Sequence, residues 1–538
     1  MKFFPAVLFS CLILVFTNSF SQSRLLWSTT IAHPNAQITD CKMLKVDEYG
    51  NSFTINYTKN SGSNYSTYIF NGFNASGNKI WEYLNDSCLA NCSDAYFHII
   101  PIENNGAIFI GFYEDQTGTQ LRLKRISKTG GLLWQQYWLT PFLTAMPVQS
   151  LIDNSGNLVV GITGVVDSTT IEDFAVAQFD TANGFLNWHI ELPDDGTIGN
   201  PLMETLSSIA IDANDNIYGC GTGVGLSLGV VKNYYFKISS FGTLDYRNQC
   251  TFSGLNTSVN SIKVNTANDF YLMGMKTGDV KIEKRKTQTG NLVRTSTIHR
   301  DSADVSNVGF ELEQNSIIVL NNYRYFNIVP GTWTNKHYMA TSLDTAGNVN
   351  WTRDYFATTD SLGPKDGTQG AIQLSKCNGN FYVLSTQHFT TNRDLLILHK
   401  LALTGNTLWS DTTTTNTSPG NFDFDSNCDS YLGRTFSGKS MVQRYSDVGI
   451  NYIQSVSNSA IFELYPNPSS DRVTIKLTSG QHRNNEVICY NGQGAIVKRI
   501  VFNEDETTFS VAELPQGVYL FQVVIDSQSA GSKILVKQ

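Results

Sequence analysis

Proline and charge are scarce in this sequence, and past the N-terminus it has no long apolar run. Thirteen prolines among 538 residues exclude a proline-rich linker or disordered chain. Asp, Glu, Lys and Arg make up 16%, with 46 acidic against 38 basic residues, so no basic footprint for nucleic acid exists. Without a later stretch of about 18 apolar residues, no membrane-spanning helix is expected in the mature chain. There is no H-E-x-x-H, and the eight histidines (His33, His98, His189, His299, His337, His388, His399 and His482) show no paired metal spacing. What abounds is glycine (42 residues) and aromatic side chains (12%), the composition of an ordered, turn-rich all-β chain.

The N-terminus, MKFFPAVLFSCLILVFTNSFSQSR, has a basic start at Lys2 and an apolar run from Ala6 to Phe16. Ser19 and Ser21 are the small residues expected before a cleavage site, which predicts a signal peptide over 1–21; the competing reading is a membrane anchor. Eight cysteines then remain in an exported chain: Cys41, Cys88, Cys92, Cys220, Cys250, Cys377, Cys428 and Cys489. Cys88 and Cys92 are close enough to bridge. Pairing is not readable from sequence, and buried free thiols are an equal alternative.

A two-part phrase repeats along the chain. The first part is a strand, an Asp/Asn/Gly turn and a second strand, as in IDNSGNLVVGI from Ile152, IDANDNIYGCG from Ile211 and VDEYGNSFTIN from Val46. Weaker copies start at Ile102, Val264, Leu312, Leu374 and Phe424, which makes eight. The second part has a Gly turn followed four residues later by Trp: Gly77 and Trp81, Gly130 and Trp134, Gly184 and Trp188, Gly347 and Trp351, Gly405 and Trp409. Tyr246 and Arg294 hold the same position in degenerate copies. A Trp at one fixed offset implies one recurring packing slot. The slots lie 48 to 58 residues apart, and four short strands per such period are the pattern of propeller blades.

The region 25–450 resembles the secreted bacterial β-propeller repeat families in this turn-and-Trp grammar. One turn, from Ser342, is similar to the sialidase Asp-box, but Asp344 and Gly347 are one residue too far apart for it. The expected fold is an all-β, eight-bladed propeller, with seven blades as the alternative. The eighth blade lacks a fourth strand of its own, because VGINYIQSV fits the phrase badly. LLWSTTI, Leu25 to Ile31, copies that phrase and has no blade. It is therefore expected to complete the last blade as its outer strand.

From Ile461 the text changes to IFELYPNPSSDRVTIKL, then VICYNGQGAIVKRI, FSVAELPQGVYLFQVV and SKILVKQ. About seven short alternating strands suit a small Ig-like β-sandwich. The motifs YPNP (Tyr465, Pro466, Asn467, Pro468), NGQG, LPQGVYLFQV (with Gly517 and Tyr519) and KILVKQ (with Lys533) resemble the type A sorting domain of the type IX secretion system. That resemblance implies export to the periplasm, recognition of the tail by the secretion machinery, and release outside or attachment at the cell surface. The expected organisation is a signal peptide over 1–21, a propeller over 22–450, a linker over 451–460 and the sorting domain over 461–538.

Chemistry is sparse. GLSLG around Ser227 matches a nucleophile-elbow pattern, but the strand-like VVKNYYFKIS follows where a helix is needed. Asp423, Asp425, Asn427 and Asp429 alternate as Ca²⁺ ligands do; Asp425 also aligns with the turn-forming Asp153 and Asp212, which favours a hydrogen-bonded turn. His399 alternates with leucines as a blade-wall residue. The connection Asn321–Tyr338 is aromatic and long, and Tyr323, Arg324, Tyr325, Phe326, Trp333 and His337 are the candidate ligand-binding residues. These features predict an exported, non-enzymatic binding protein for a glycan, protein or matrix ligand, without a cofactor. The alternative is a polysaccharide hydrolase or lyase on the same scaffold, since carboxylate pairs are invisible without tertiary structure.

Overall fold

A computed structural model of the chain describes residues 25–447 and 462–538, apart from connecting segments at 32–35, 61–65, 86–92, 103–105, 116–117, 167–171, 193–201, 226–230, 255, 266–268, 277, 300–302, 314–315, 328–331, 334–336, 356–368, 389–393, 416–420, 478–484, 492–495 and 526–527. Cys88, Cys92 and Ser227 lie outside the described residues. Arg24–Asp447 forms one compact unit, and Val448–Gln538 belongs to a second.

Among the described residues the first unit consists of eight antiparallel sheets, seven of them built up-and-down in chain order. Blade 1, for example, runs Ala36–Val46, Ser52–Asn60, Ser66–Phe73 and Lys79–Leu84. The first strand of each sheet touches the first strand of the next, and the eighth, Asn421–Phe424, touches Ala36–Val46. The ring is closed, and the unit is an eight-bladed propeller. Blade 8 takes its outer strand from the N-terminus: Leu25–Ile31 pairs antiparallel with Lys439–Tyr445, as expected. An apolar core fills each of the eight junctions between neighbouring blades.

The turns form for the reason the sequence suggests. The carboxylate of Asp47 accepts the N–H groups of Tyr49 (3.0 Å) and Asn51 (2.8 Å), and Asp212 does the same for Asn214 and Asn216. These first-to-second turns share a face with the Gly turns between third and fourth strands, and the longer connections share the other.

The Trp slot is also real, but its partner is a different blade. Seven of the eight slot residues lie against the Gly turn of the following blade, about 50 residues on; Trp409 faces blade 8, which has no such turn. Trp27 donates to Ala75 O (2.9 Å), Trp134 to Thr181 O (3.1 Å) and Trp351 to Leu403 O (2.7 Å). The degenerate copies keep the bond with other donors: Tyr246 to Thr287 O (3.2 Å) and Arg294 to Thr345 O (2.6 Å). The turn glycine has no room for a side chain there; a Cβ on Gly77, at φ +80°, would lie 2.5 Å from the Trp27 ring.

One disulfide was not anticipated. Cys377 and Cys428 sit in the first turns of blades 7 and 8 and bridge them across 51 residues. Cys41, Cys220, Cys250 and Cys489 are buried free thiols.

Among its described residues the second unit has seven strands in two sheets. Phe462–Tyr465, Arg472–Leu477 and Glu506–Ser510 form one; Asn485–Tyr490, Ile496–Phe502, Gly517–Ile525 and Gln528–Lys537 form the other. Phe462, Val473 and Ile475 of the first pack with Val487, Phe521 and Leu535 of the second, giving the expected sandwich.

Candidate functional site

The inner strands surround the propeller axis, and side chains bridge six of their eight junctions among the described residues. Lys45 reaches Asp423 (3.5 Å), Lys263 reaches Glu311 (2.9 Å) and Lys376 reaches Glu313 (3.1 Å). His98 meets Ser150 (2.8 Å), Ser208 meets Gln149 (3.1 Å), and Gln373 donates to Phe422 O (3.1 Å). Every described carboxylate on these strands has a cation within 4 Å: Asp40 has Lys42, Asp94 has Arg122, Glu204 has Arg247, and the other three are those just named. Asp423, Glu311 and Glu313 join neighbouring blades through their lysines, whereas Asp40, Asp94 and Glu204 are paired within their own blades. This girdle was missed in the sequence. Its signal is present, since Lys45, Lys263, Glu311 and Asp423 each stand two residues before the first turn, with opposite signs on adjacent blades.

Two histidines titrate abnormally. Burial pushes His98 down to about 4, helped by nearby Lys45, and burial alone pushes His399 down to about 4. His399 lies between Ser385 (3.2 Å) and Ser410 (2.8 Å) in the blade 7 wall. Both rings stay neutral in the folded chain where an unfolded chain protonates them. The stability they contribute is full above the unfolded value near 6.5 and is lost as pH falls toward 4. Melting temperature is therefore expected to fall between pH 6.5 and 4.5, and less steeply in His399→Gln. Calorimetry across that range checks this, and equal slopes would contradict it.

The candidate binding residues lie on an extended hairpin of blade 6. Its second strand, Ser316–Asn327, is 12 residues long and pairs with His337–Asp344 up to Tyr323 opposite His337. Beyond that point it pairs with Thr332–Trp333, which places Phe326 opposite Trp333. Tyr323 departs from the expectation of an exposed ring: it is 1% exposed and packs with Tyr271, Met273 and Val305 in the core between blades 5 and 6. Side chains of Arg324, Tyr325, Phe326, Trp333 and His337 lie outside the described residues.

The alternating acidic stretch is a turn. Asp425 accepts the N–H groups of Asn427 (2.9 Å) and Asp429 (3.1 Å), and Arg444 bonds both Asp425 (2.9 Å) and Asp429 (2.8 Å). A guanidinium thus occupies the place a cation would take, while Asp423 accepts Val46 N–H from blade 1. Among the described residues no cluster of three His, Cys, Asp or Glu is placed to hold a metal.

In the second unit the motif residues converge. Asn467 donates to Ile534 O (2.6 Å) and accepts Val536 N–H (2.9 Å), so the tyrosine-proline motif is tied to the last strand by a side chain that mimics a backbone partner. Tyr465 donates to Glu506 (3.0 Å), and Pro466 and Pro468 both follow cis peptide bonds. Tyr519, two residues after Gly517, is buried and donates to Pro515 O (2.8 Å). Lys533 lies 5.6 Å from the centre of the Phe462 ring.

Residues 463–537 match the family described as the secretion system C-terminal sorting domain. This sorting domain marks the chain for passage through the type IX machinery, to the medium or to the outer cell surface. No described helix is long and apolar enough to cross a membrane. No curated protein matches the chain. Among solved structures, the chain is similar to a Dos1 propeller, with 9% identity over 79% of this chain and 96% of that one, TM-score 0.45. It is also similar to the polysaccharide lyase Uly1, with 10% identity over 77% and 91%, TM-score 0.41. A third is the WD40 domain of SCAP from fission yeast, with 8% identity over 79% and 99%, TM-score 0.30. These likenesses carry no statement about activity.

Proposed function

We propose that the chain is an exported binding protein whose propeller presents the blade 6 hairpin to a glycan, protein or matrix ligand. Residues 1–21 are then a cleaved signal peptide, 22–450 the propeller and 451–460 a linker to the sorting domain. The observation that carries the reading is the hairpin itself. A 12-residue strand continues past its blade and pairs Phe326 with Trp333, in a segment whose composition is that of a recognition loop. Screening the mature protein on glycan and matrix-protein arrays tests it. Trp333→Ala is expected to weaken the strongest hit by about tenfold or more, the usual scale of an aromatic hot spot. Unchanged binding in that variant removes the hairpin, and turnover of a polysaccharide would replace binding with catalysis.

A further inference from the structure

Blade 1 differs from the other blades in what faces its slot residue. Opposite each slot residue, on the neighbouring third strand, six blades carry a long polar side chain: Arg125, Gln178, Lys237, Lys284, Lys400 and Arg444. Blade 6 has Ser342 and blade 1 has Gly72. With nothing to hold it off, Trp81 lies over Gly72; a Cβ there would come within 2.3 Å of the indole. The Trp81 N–H has no hydrogen-bond partner, although the residue is 6% exposed. Trp188 also lacks a partner, but there Gln178 fills the position and bonds Asp153 (2.7 Å).

The result is a groove of about 380 Å³ between blades 1 and 2, on the tight-turn face. Its floor is apolar: Phe53, Phe73, Trp81 and the half-exposed Ile80. Its rim is polar and carries one charge of each sign: Asp47, Asn51, Lys128 and Thr129. Asp47 already accepts bonds from its own turn, and Asn51 donates one of them through Nδ2 (2.8 Å), leaving its Oδ1 for a donor. Balanced charge disfavours a polyanion. An apolar floor led by the exposed Ile80, with Asn51 and Thr129 beside the two balancing charges, matches a pyranose ring, apolar on its C–H faces and polar at its hydroxyl edge. The volume lies in the roughly 300–1,000 Å³ range of small-molecule sites.

We infer that this groove binds a neutral saccharide unit, seated on Ile80 and the exposed edge of Trp81, whose ring fills the space above Gly72. The inference rests on the binding reading above and adds a second site to it. Saturation-transfer NMR and calorimetric titration of the mature protein test it with cellotriose, laminaritriose, maltotriose and chitotriose, and with trigalacturonate as the anionic control. At least one neutral trisaccharide is expected to bind. Gly72→Gln forces the Trp81 ring out of its place, since even a Cβ would come within 2.3 Å of it, and is expected to weaken that binding by at least about tenfold because it reshapes the groove floor. Ile80→Asp, at an exposed position that does not test folding, should act in the same direction, and Trp333→Ala should leave this site intact. Absence of binding by every neutral trisaccharide, preference for trigalacturonate, or unchanged affinity in both groove variants overturns the inference. Binding lost in Trp333→Ala and kept in Gly72→Gln removes the groove and leaves the hairpin standing.

Discussion

A mature chain lacking Leu25–Ile31 is expected to fail to close its propeller and to melt far below the intact protein, or not to fold. The missing segment is the whole outer strand of blade 8, six paired positions against Lys439–Tyr445. It is also the last member of the staple series. Trp27 reaches across to blade 1, where it bonds Ala75 O, covers Gly77 and meets the Tyr431 ring edge-on at 5.8 Å. Ile31 closes the core that holds Leu44, Val46, Phe73, Tyr431 and Val442. Removing the strand opens that core and bares an unpaired edge, the form in which sheets associate with other chains. Trp27→Ala alone is expected to cost about 3 kcal/mol, the lower end for a large-to-small core change because the ring is part-exposed. Trp27→Phe keeps the contact with Tyr431 and loses the bond, at a cost of about 1 kcal/mol. Calorimetry orders the three, with truncation lowest and Trp27→Phe highest. The heptapeptide LLWSTTI added to the truncated chain should raise its melting temperature by occupying the empty slot. A truncated chain that melts with the intact one contradicts the closure role.

Closure was legible in advance because a strand phrase without a blade, and a blade without a strand, are both local facts about text. Period-2 alternation and Asp/Gly turns report on the few residues around them, and these were enough to count eight blades and to place Leu25–Ile31. Which blade a side chain touches is not local. The Gly and Trp that look like a pair four residues apart belong to separate junctions, and Trp134 finds its turn at Thr181. The bridge between Cys377 and Cys428 joins turns that become neighbours only once the ring exists, so no spacing in the sequence announces it. Tyr323 is the opposite error. It sits in a loop-like stretch, but the strand continues through it, and alternation carries its ring into the core. The groove beside Gly72 was hidden because a glycine in a strand reads as weakness until six other blades show what it replaces.

The second large effect is expected at the other end of the chain. A protein ending at Asp447 should fold its propeller yet remain behind the outer membrane, with its surface and medium fractions falling to the limit of detection. The sorting domain has a core of its own, formed between its two sheets, so its loss takes no side chain from any of the blade cores. A smaller cut should be equally damaging. Removing residues 535–538 deletes Leu535, which is fully buried in that core. The cut also removes Val536, the N–H partner of Asn467, and Lys537, which pairs with Gly517 and bridges to Ser469. The motif near Pro466 and Pro468 is thereby released from the strand it is fastened to, and a machinery that reads the folded tail loses both ends of its signal together. Asn467→Ala cuts only the fastening; its exposed backbone partners regain water, so secretion should be reduced but not abolished. Immunoblots of medium, surface and periplasmic fractions distinguish these outcomes, with calorimetry of the retained protein showing an unchanged propeller transition. Normal surface or medium levels of the chain lacking residues 535–538 would mean that the last strand is dispensable and that recognition rests on the first motif alone.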